Sequence, residues 1–272
     1  MTRASTRAFP ILVALSLMPT AFPAAARADE IDRALLSTFC DAGNIQGATC
    51  KRARFYPDAG RRACDVKLTA DRYSGRFIAS RNPLLVVNYQ SGCEAHVNDF
   101  GGVALFEQAG GTYAFRGFQP GMQGTHCVTM ARSESEDVLI CLTGHMGQGD
   151  LETRLARVAF KEEPIRHITM SLDFLVEAEN LVGAYGSNVV DCYGQPKYFD
   201  LSKLSAGAAP NTVTVEVSYA DADTIHAACG KGFPKPAETS GELGPGEAYV
   251  PEGYEKQGKM TVDLVSRKVI VQ

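Results

Sequence analysis

"THCVTMARSESEDVLICLTG", Thr125 to Gly144, decides the fold. Two runs of β-forming side chains, Cys127–Arg132 and Asp137–Leu142, flank the polar hub Ser133–Asp137, the pattern of antiparallel strands joined by a solvated turn. Closing that hairpin near Glu134 sets Cys127 opposite Cys141. Facing residues hold their β-carbons about 4.5–5.5 Å apart, and a disulfide needs about 3.5–4.5 Å. A close, non-hydrogen-bonded pair accommodates the bond, so the cysteines are expected to staple neighbouring strands. Buried free thiols, or bonds to other partners, are the alternative.

The same signals continue in both directions. "PLLVVNY" (Pro83–Tyr89), "GVALFEQ" (Gly102–Gln108) and "TYAFRGF" (Thr112–Phe118) are short branched and aromatic runs separated by glycine-containing turns. "ALFEQAGGTYAF" folds about Gly110 and Gly111, which tolerate a tight turn, and brings Phe106 opposite Phe115. "NTVTVEVSY" places Val213, Val215, Val217 and Tyr219 on one face, which should be buried, and the last residues form a further hairpin around Ser266 and Arg267. A mainly β fold follows, its antiparallel hairpins arranged as a sandwich or like a propeller. Ahead of it, "DEIDRALLSTFCDAG" reads as a short amphipathic helix with Asp29 at its start and Ile31, Leu35 and Phe39 as the buried stripe.

Residues 1–28 read as an export signal: Arg3 and Arg7, an apolar run Phe9–Leu17, and small residues at Ala26 and Ala28 before a cleavage point at Asp29. The apolar run is interrupted by Pro10, Ser16 and Pro19, too short to span a bilayer, which takes about 20 apolar residues. All eight cysteines follow it. An even number in an exported chain points to disulfides. Besides Cys127–Cys141, the expected pairs are Cys40–Cys50, Cys64–Cys93 and Cys192–Cys229, joining neighbours across short loops.

Without the signal the chain carries 24 basic against 31 acidic residues, a formal charge near −7. Phosphate backbones repel such a chain, so nucleic acid is not an expected partner. Two regions are expected, a disulfide-stabilised β domain over 29–165 and a C-terminal β region over 166–272. The latter holds a Gly- and Pro-rich loop, 230–258, whose Phe233, Tyr249 and Tyr254 form a candidate partner-binding arm.

From Leu85 to Phe106 an aliphatic strand, a glycine-containing loop and a strand ending in Phe follow one another, and Leu139 to Phe160 repeats the order at an offset of 54 residues. "EDVLICLTGHMGQGDLETRLARVAF" (Glu136–Phe160) resembles the blades of FG-GAP or VCBS-type β-propeller repeats, over at most Cys64–Ser171. Such families carry a calcium loop of alternating aspartates where this chain has "SESED". The resemblance implies an interaction or ligand-display scaffold and no reaction, and the departure at "SESED" puts calcium binding in the family manner in doubt.

No catalytic motif is present. G-x-S-x-G, which holds a serine nucleophile on a strained turn, is absent, and the even cysteine count offers no spare thiol. "GHMGQG" (Gly144–Gly149) lacks the Lys and the following helix of a phosphate loop. His126, His145 and Met146 lie near one end of the expected hairpin, and imidazole plus thioether suits copper. Disulfide-bonded cysteines cannot ligate and no zinc spacing occurs, so surface histidines are the simpler reading. No cofactor is expected. The residues point to an exported, periplasmic or secreted module that binds a protein or small ligand. A hydrolase assembled only in three dimensions and a metal-handling protein are the alternatives.

Overall fold

The computed structural model describes residues 24–54, 64–79, 81–91, 101–122, 124–147, 150–164, 167–231 and 242–272. Helix α1 (Ala24–Ser37) leads into a six-stranded antiparallel sheet in chain order: β1 (Ile45–Gln46), β2 (Thr49–Cys50), β3 (Val66–Gly75), β4 (Leu84–Ser91), β5 (Gly101–Ala109) and β6 (Thr112–Pro120). A four-stranded antiparallel sheet follows, β7 (Thr125–Ala131), β8 (Asp137–Gly147), β9 (Asp150–Glu162) and β10 (Ile168–Asn180). After the single turn α2 (Val182–Tyr185) come β11 (Asn188–Asp191), β12 (Lys197–Ala206), β13 (Thr212–Ala220), α3 (Ala222–Lys231), β14 (Glu247–Val250), β15 (Lys256–Asp263) and β16 (Val269–Val271). Here β11 pairs with β14, and the third large sheet runs β12-β13-β15-β16.

These elements stack in layers. Leu35, Leu36 and Phe39 of the N-terminal segment pack on Leu85, Val87, Tyr89, Phe106 and Phe118 of the first sheet. The other face of that sheet, with Leu84, Val86, Val103 and Leu105, meets Leu139, Cys141, Val158, Ile168 and Met170 of the second. The second sheet turns Ile140, Leu142, Leu155, Val176 and Ala178 toward Val213, Val215, Val217, Met260 and Val262 of the third. Last, α3 and the β11–β14 ribbon cover Phe199 and Ala220 with Ile225, Ala228 and Val250. Covered on both faces, β4 reads as a continuous apolar run rather than an alternation. The mainly β, antiparallel fold is therefore sandwich-like, its open sheets stacked face to face.

Local expectations from the sequence hold at several points. Phe106 pairs with Phe115 across β5 and β6. Phe39 anchors the cluster around them, its ring 5.2 Å from Phe115 and 5.1 Å from Phe118. Such pairs add roughly 0.5–1.5 kcal/mol each beyond area burial. The disulfides Cys40–Cys50, Cys127–Cys141 and Cys192–Cys229 are all formed. Cys64 is also disulfide-bonded, while Cys93, its expected partner, lies outside the described residues.

Other expectations are corrected. The helix begins at Ala24 rather than at Asp29, because the run Ala24–Ala28 is rich in alanine, the strongest helix former. Residues 1–23 of the expected signal lie outside the described residues. The boundary after residue 165 does not separate sheets, since β10 completes the sheet of β7–β9. The 230–258 segment is in part regular structure: α3 reaches Lys231, β14 occupies Glu247–Val250 and β15 starts at Lys256. Tyr249 is accordingly buried, paired with Val189, rather than displayed. Tyr254 is exposed, and Phe233 lies outside the described residues. The two segments 54 residues apart are both antiparallel pairs, with registers that differ by two residues: Leu85 faces Phe106, whereas Leu139 faces Val158.

Candidate groove between the first and second sheets

Successive side chains of a strand alternate between faces. On β8 that rule puts Leu139 and Cys141 against the first sheet, and it carries Thr143 and His145 along the same face. The cross-strand partners Arg154 and Glu152 stand opposite them on β9, Thr143 facing Arg154 and His145 facing Glu152. These four residues line an open groove of about 370 Å³ together with Gly121, Met122, Gly144, Leu172 and Phe174.

Phe174 follows Ile168, Met170 and Leu172 on the first-sheet face of β10 and is the last residue before an irregularity. The register shifts between Phe174 and Val176. Before the shift, Ile168 and Met170 face the first sheet, and after it Val176 and Ala178 face the third. A β-bulge of this kind leaves one residue unpaired and re-aims those beyond it, so Val176 and Ala178 turn to the third sheet while Phe174 keeps the groove side.

Charge in the groove is organised around Arg154. Its Nε donates to Glu152 Oε1 at 2.8 Å, Glu177 lies 3.5 Å away, and the guanidinium sits 4.5 Å over the Phe174 ring. The planar guanidinium satisfies a carboxylate and stacks on an aromatic face at once. Glu152 is thereby engaged as an ion-pair partner of Arg154, with His145 its exposed cross-strand neighbour. A second depression of about 420 Å³ adjoins the groove, lined by Glu152, Glu177, Glu179, Asp191, Lys197 and Tyr198. There Lys197 donates to Glu179 at 3.2 Å.

The inner end of the groove meets a small apolar void between the sheets. Met122, Thr143 and Leu172 line both spaces. The void also touches Tyr73, Val86, Asn88, Val103, Gly124, Leu139, Val158 and the Cys127–Cys141 disulfide. Burial pushes the Tyr73 hydroxyl up from its ordinary value, and that hydroxyl accepts the Cys127 amide at 3.3 Å.

The metal candidates do not converge. His126 sits in the β7 irregularity between Thr125 and Val128, exposed and with φ 48°. His145 projects into the groove, and Met146 takes a backbone position opposite Leu151. Among the described residues no three His, Cys, Asp or Glu side chains gather in a geometry that could hold a metal ion. The sequence did not mark Glu152, Arg154, Leu172 or Phe174. Alternation in "LETRLARV" was signal enough to pair Glu152 with Arg154 on one face, and "ITMSLDF" did the same for Leu172 and Phe174.

No family model, no curated protein and no solved structure matches this chain. No helix among the described residues is long and apolar enough to cross a membrane.

Proposed function

We propose that the protein is an exported, periplasmic or secreted, disulfide-stabilised β module that binds a ligand in the groove between its first two sheets without transforming it. One observation carries the reading: an apolar floor of Met122, Leu172 and Phe174 is edged by the fixed Arg154–Glu152 pair. Binding sites typically combine such a floor with a few placed polar groups. One wall is built from the paired strands β8, β9 and β10, which limits the ordering cost of association, and the other is the Gly121–Met122 connection after β6.

A metabolite library screened by NMR against the isotope-labelled protein tests the proposal. Hits are expected to perturb Thr143, His145, Arg154 and Phe174 together, and Phe174→Ala with Arg154→Ala should each weaken those hits at least tenfold. Hits scattered over other surfaces would remove the groove from consideration. Steady turnover of a hit, abolished by one side-chain replacement, would make the protein an enzyme instead.

A further inference from the structure

We infer that the groove takes a neutral, largely apolar small molecule whose inner end carries a hydrogen-bond donor, an aromatic N–H or a hydroxyl, received by Asn88. The inference rests on the groove being the binding site and specifies what it accepts.

Among the described residues Asn88 is the only amide side chain of the inter-sheet void, and it is 3 % exposed. Its Nδ2 donates to the Gly124 carbonyl at 2.6 Å. That bond fixes the orientation of the amide, since a carbonyl oxygen accepts and cannot donate. Oδ1 is left buried with no hydrogen-bond partner among the described residues. An acceptor in that state costs about 1–3 kcal/mol. The rest of the lining is mostly apolar: Val86, Val103, Leu139, Val158, Met170 and Leu172 surround the void, Tyr73 holds the Cys127 amide, and Thr143 stands at the end shared with the groove.

Such walls select against charge. An ammonium brought to Asn88 would lose its hydration and find one neutral acceptor in exchange. A neutral N–H or O–H on a flat apolar body satisfies Oδ1 at far lower desolvation cost.

Access is set by Met122. The void has open space of about 10 Å³, room for a single water-sized body. Among the described residues of its lining, Met122 is the one side chain that a connection carries rather than a strand, and it lines both void and groove. Thioether side chains turn about three bonds and refill irregular space easily. Gly121, at φ 70°, precedes it. Withdrawal of Met122 joins the void to the groove and admits an aromatic or aliphatic arm up to Asn88.

Indole and benzofuran form a matched pair of probes, nearly identical in shape, one with an N–H and the other with an ether oxygen. Both are titrated into full-length protein carrying ¹³C-methyl methionine. Indole is expected to shift the Met122 and Met170 methyl signals and to bind roughly tenfold tighter than benzofuran, the size of one unmade buried hydrogen bond. Asn88→Leu should erase the preference, and Met122→Ala should speed entry of both probes while keeping it. Equal affinities for the wild-type protein would overturn the inference without any variant having to fold. So would shifts confined to the groove with Met170 unmoved. In either case library hits clustering on Arg154 and Phe174 would still uphold the groove itself.

Discussion

Glu107 shows how a single buried charge is accommodated in a strand that is covered on both sides. It is 5 % exposed, and burial alone would raise its pKa. Hydrogen bonds from Arg116 at 2.7 Å and Asn82 at 3.0 Å, with the Arg81 charge nearby, hold the carboxyl below its ordinary value instead. Removing one partner of a buried pair is costlier than never building it, because the remaining charge stays desolvated. Glu107→Gln leaves Arg116 without its carboxylate and should cost about 3 kcal/mol in urea unfolding; a loss below about 1 kcal/mol would mean the arginines simply turn to solvent. Near the groove, Gly124 presents a steric version of the same logic. A β-carbon there would lie 2.8 Å from both Cys127 Sγ and Cys141 Sγ, in a wall tied together by their disulfide. Gly124→Ala is therefore expected to destabilise by about 1–3 kcal/mol and to perturb the Asn88 side-chain amide signals in the NMR spectrum.

Among the elements, α3 depends on its first turn. Asp221 Oδ1 accepts from the Thr224 amide at 2.9 Å and from its hydroxyl at 3.0 Å, while Lys256 of β15 bonds the other oxygen. The Lys256 bond first, and the Thr224 amide next, lower the carboxyl to about 2. A pKa depressed by folding contributes stability that is present above the unfolded value, about 3.9, and is lost as pH falls through 2. Asp221→Ala should cost about 0.5–2 kcal/mol at pH 7. Measured by denaturant unfolding, the gap from wild type should shrink steadily between pH 4 and pH 2; a gap independent of pH would assign the effect to helix propensity alone. How far each element was legible follows from the same physics. Alternation in Val213–Tyr219 and the glycines of Gly110–Gly111 exposed β13 and the β5–β6 hairpin directly, and the Cys127–Cys141 staple followed from the turn between them. The loop 230–258 misled because its glycines and prolines hide β14, a strand of four residues that exists only through pairing with β11. The groove was out of reach for a related reason. Its lining joins β8, β9 and β10 to the Gly121–Met122 connection, a property of tertiary stacking rather than of any one strand.

At the scale of the whole molecule, the second sheet is the shared layer, with one face in the core of the first sheet and the other in the core of the third. Neither outer sheet can expose its inner face without uncovering the second, so the stack should open as one cooperative unit. Leu139 and Leu155 separate the two faces cleanly. Leu139 is 1 % exposed and points toward the first sheet; Leu155 is 0 % exposed and points toward the third. Truncating either leaves a cavity at a close-packed interface and should cost about 2–5 kcal/mol. If the layers are coupled, Leu139→Ala must lower protection at a distance as well as nearby. Hydrogen exchange read by mass spectrometry is then expected to show the slowest amides of β5 and β13 losing equal protection in Leu139→Ala, and again in Leu155→Ala, since both report the same global opening. A Leu139→Ala protein that exchanges faster in β5 while β13 keeps its wild-type protection would divide the stack into two independent units. The groove would then lie within the first of them, and ligand binding would stabilise β5 without stabilising β13.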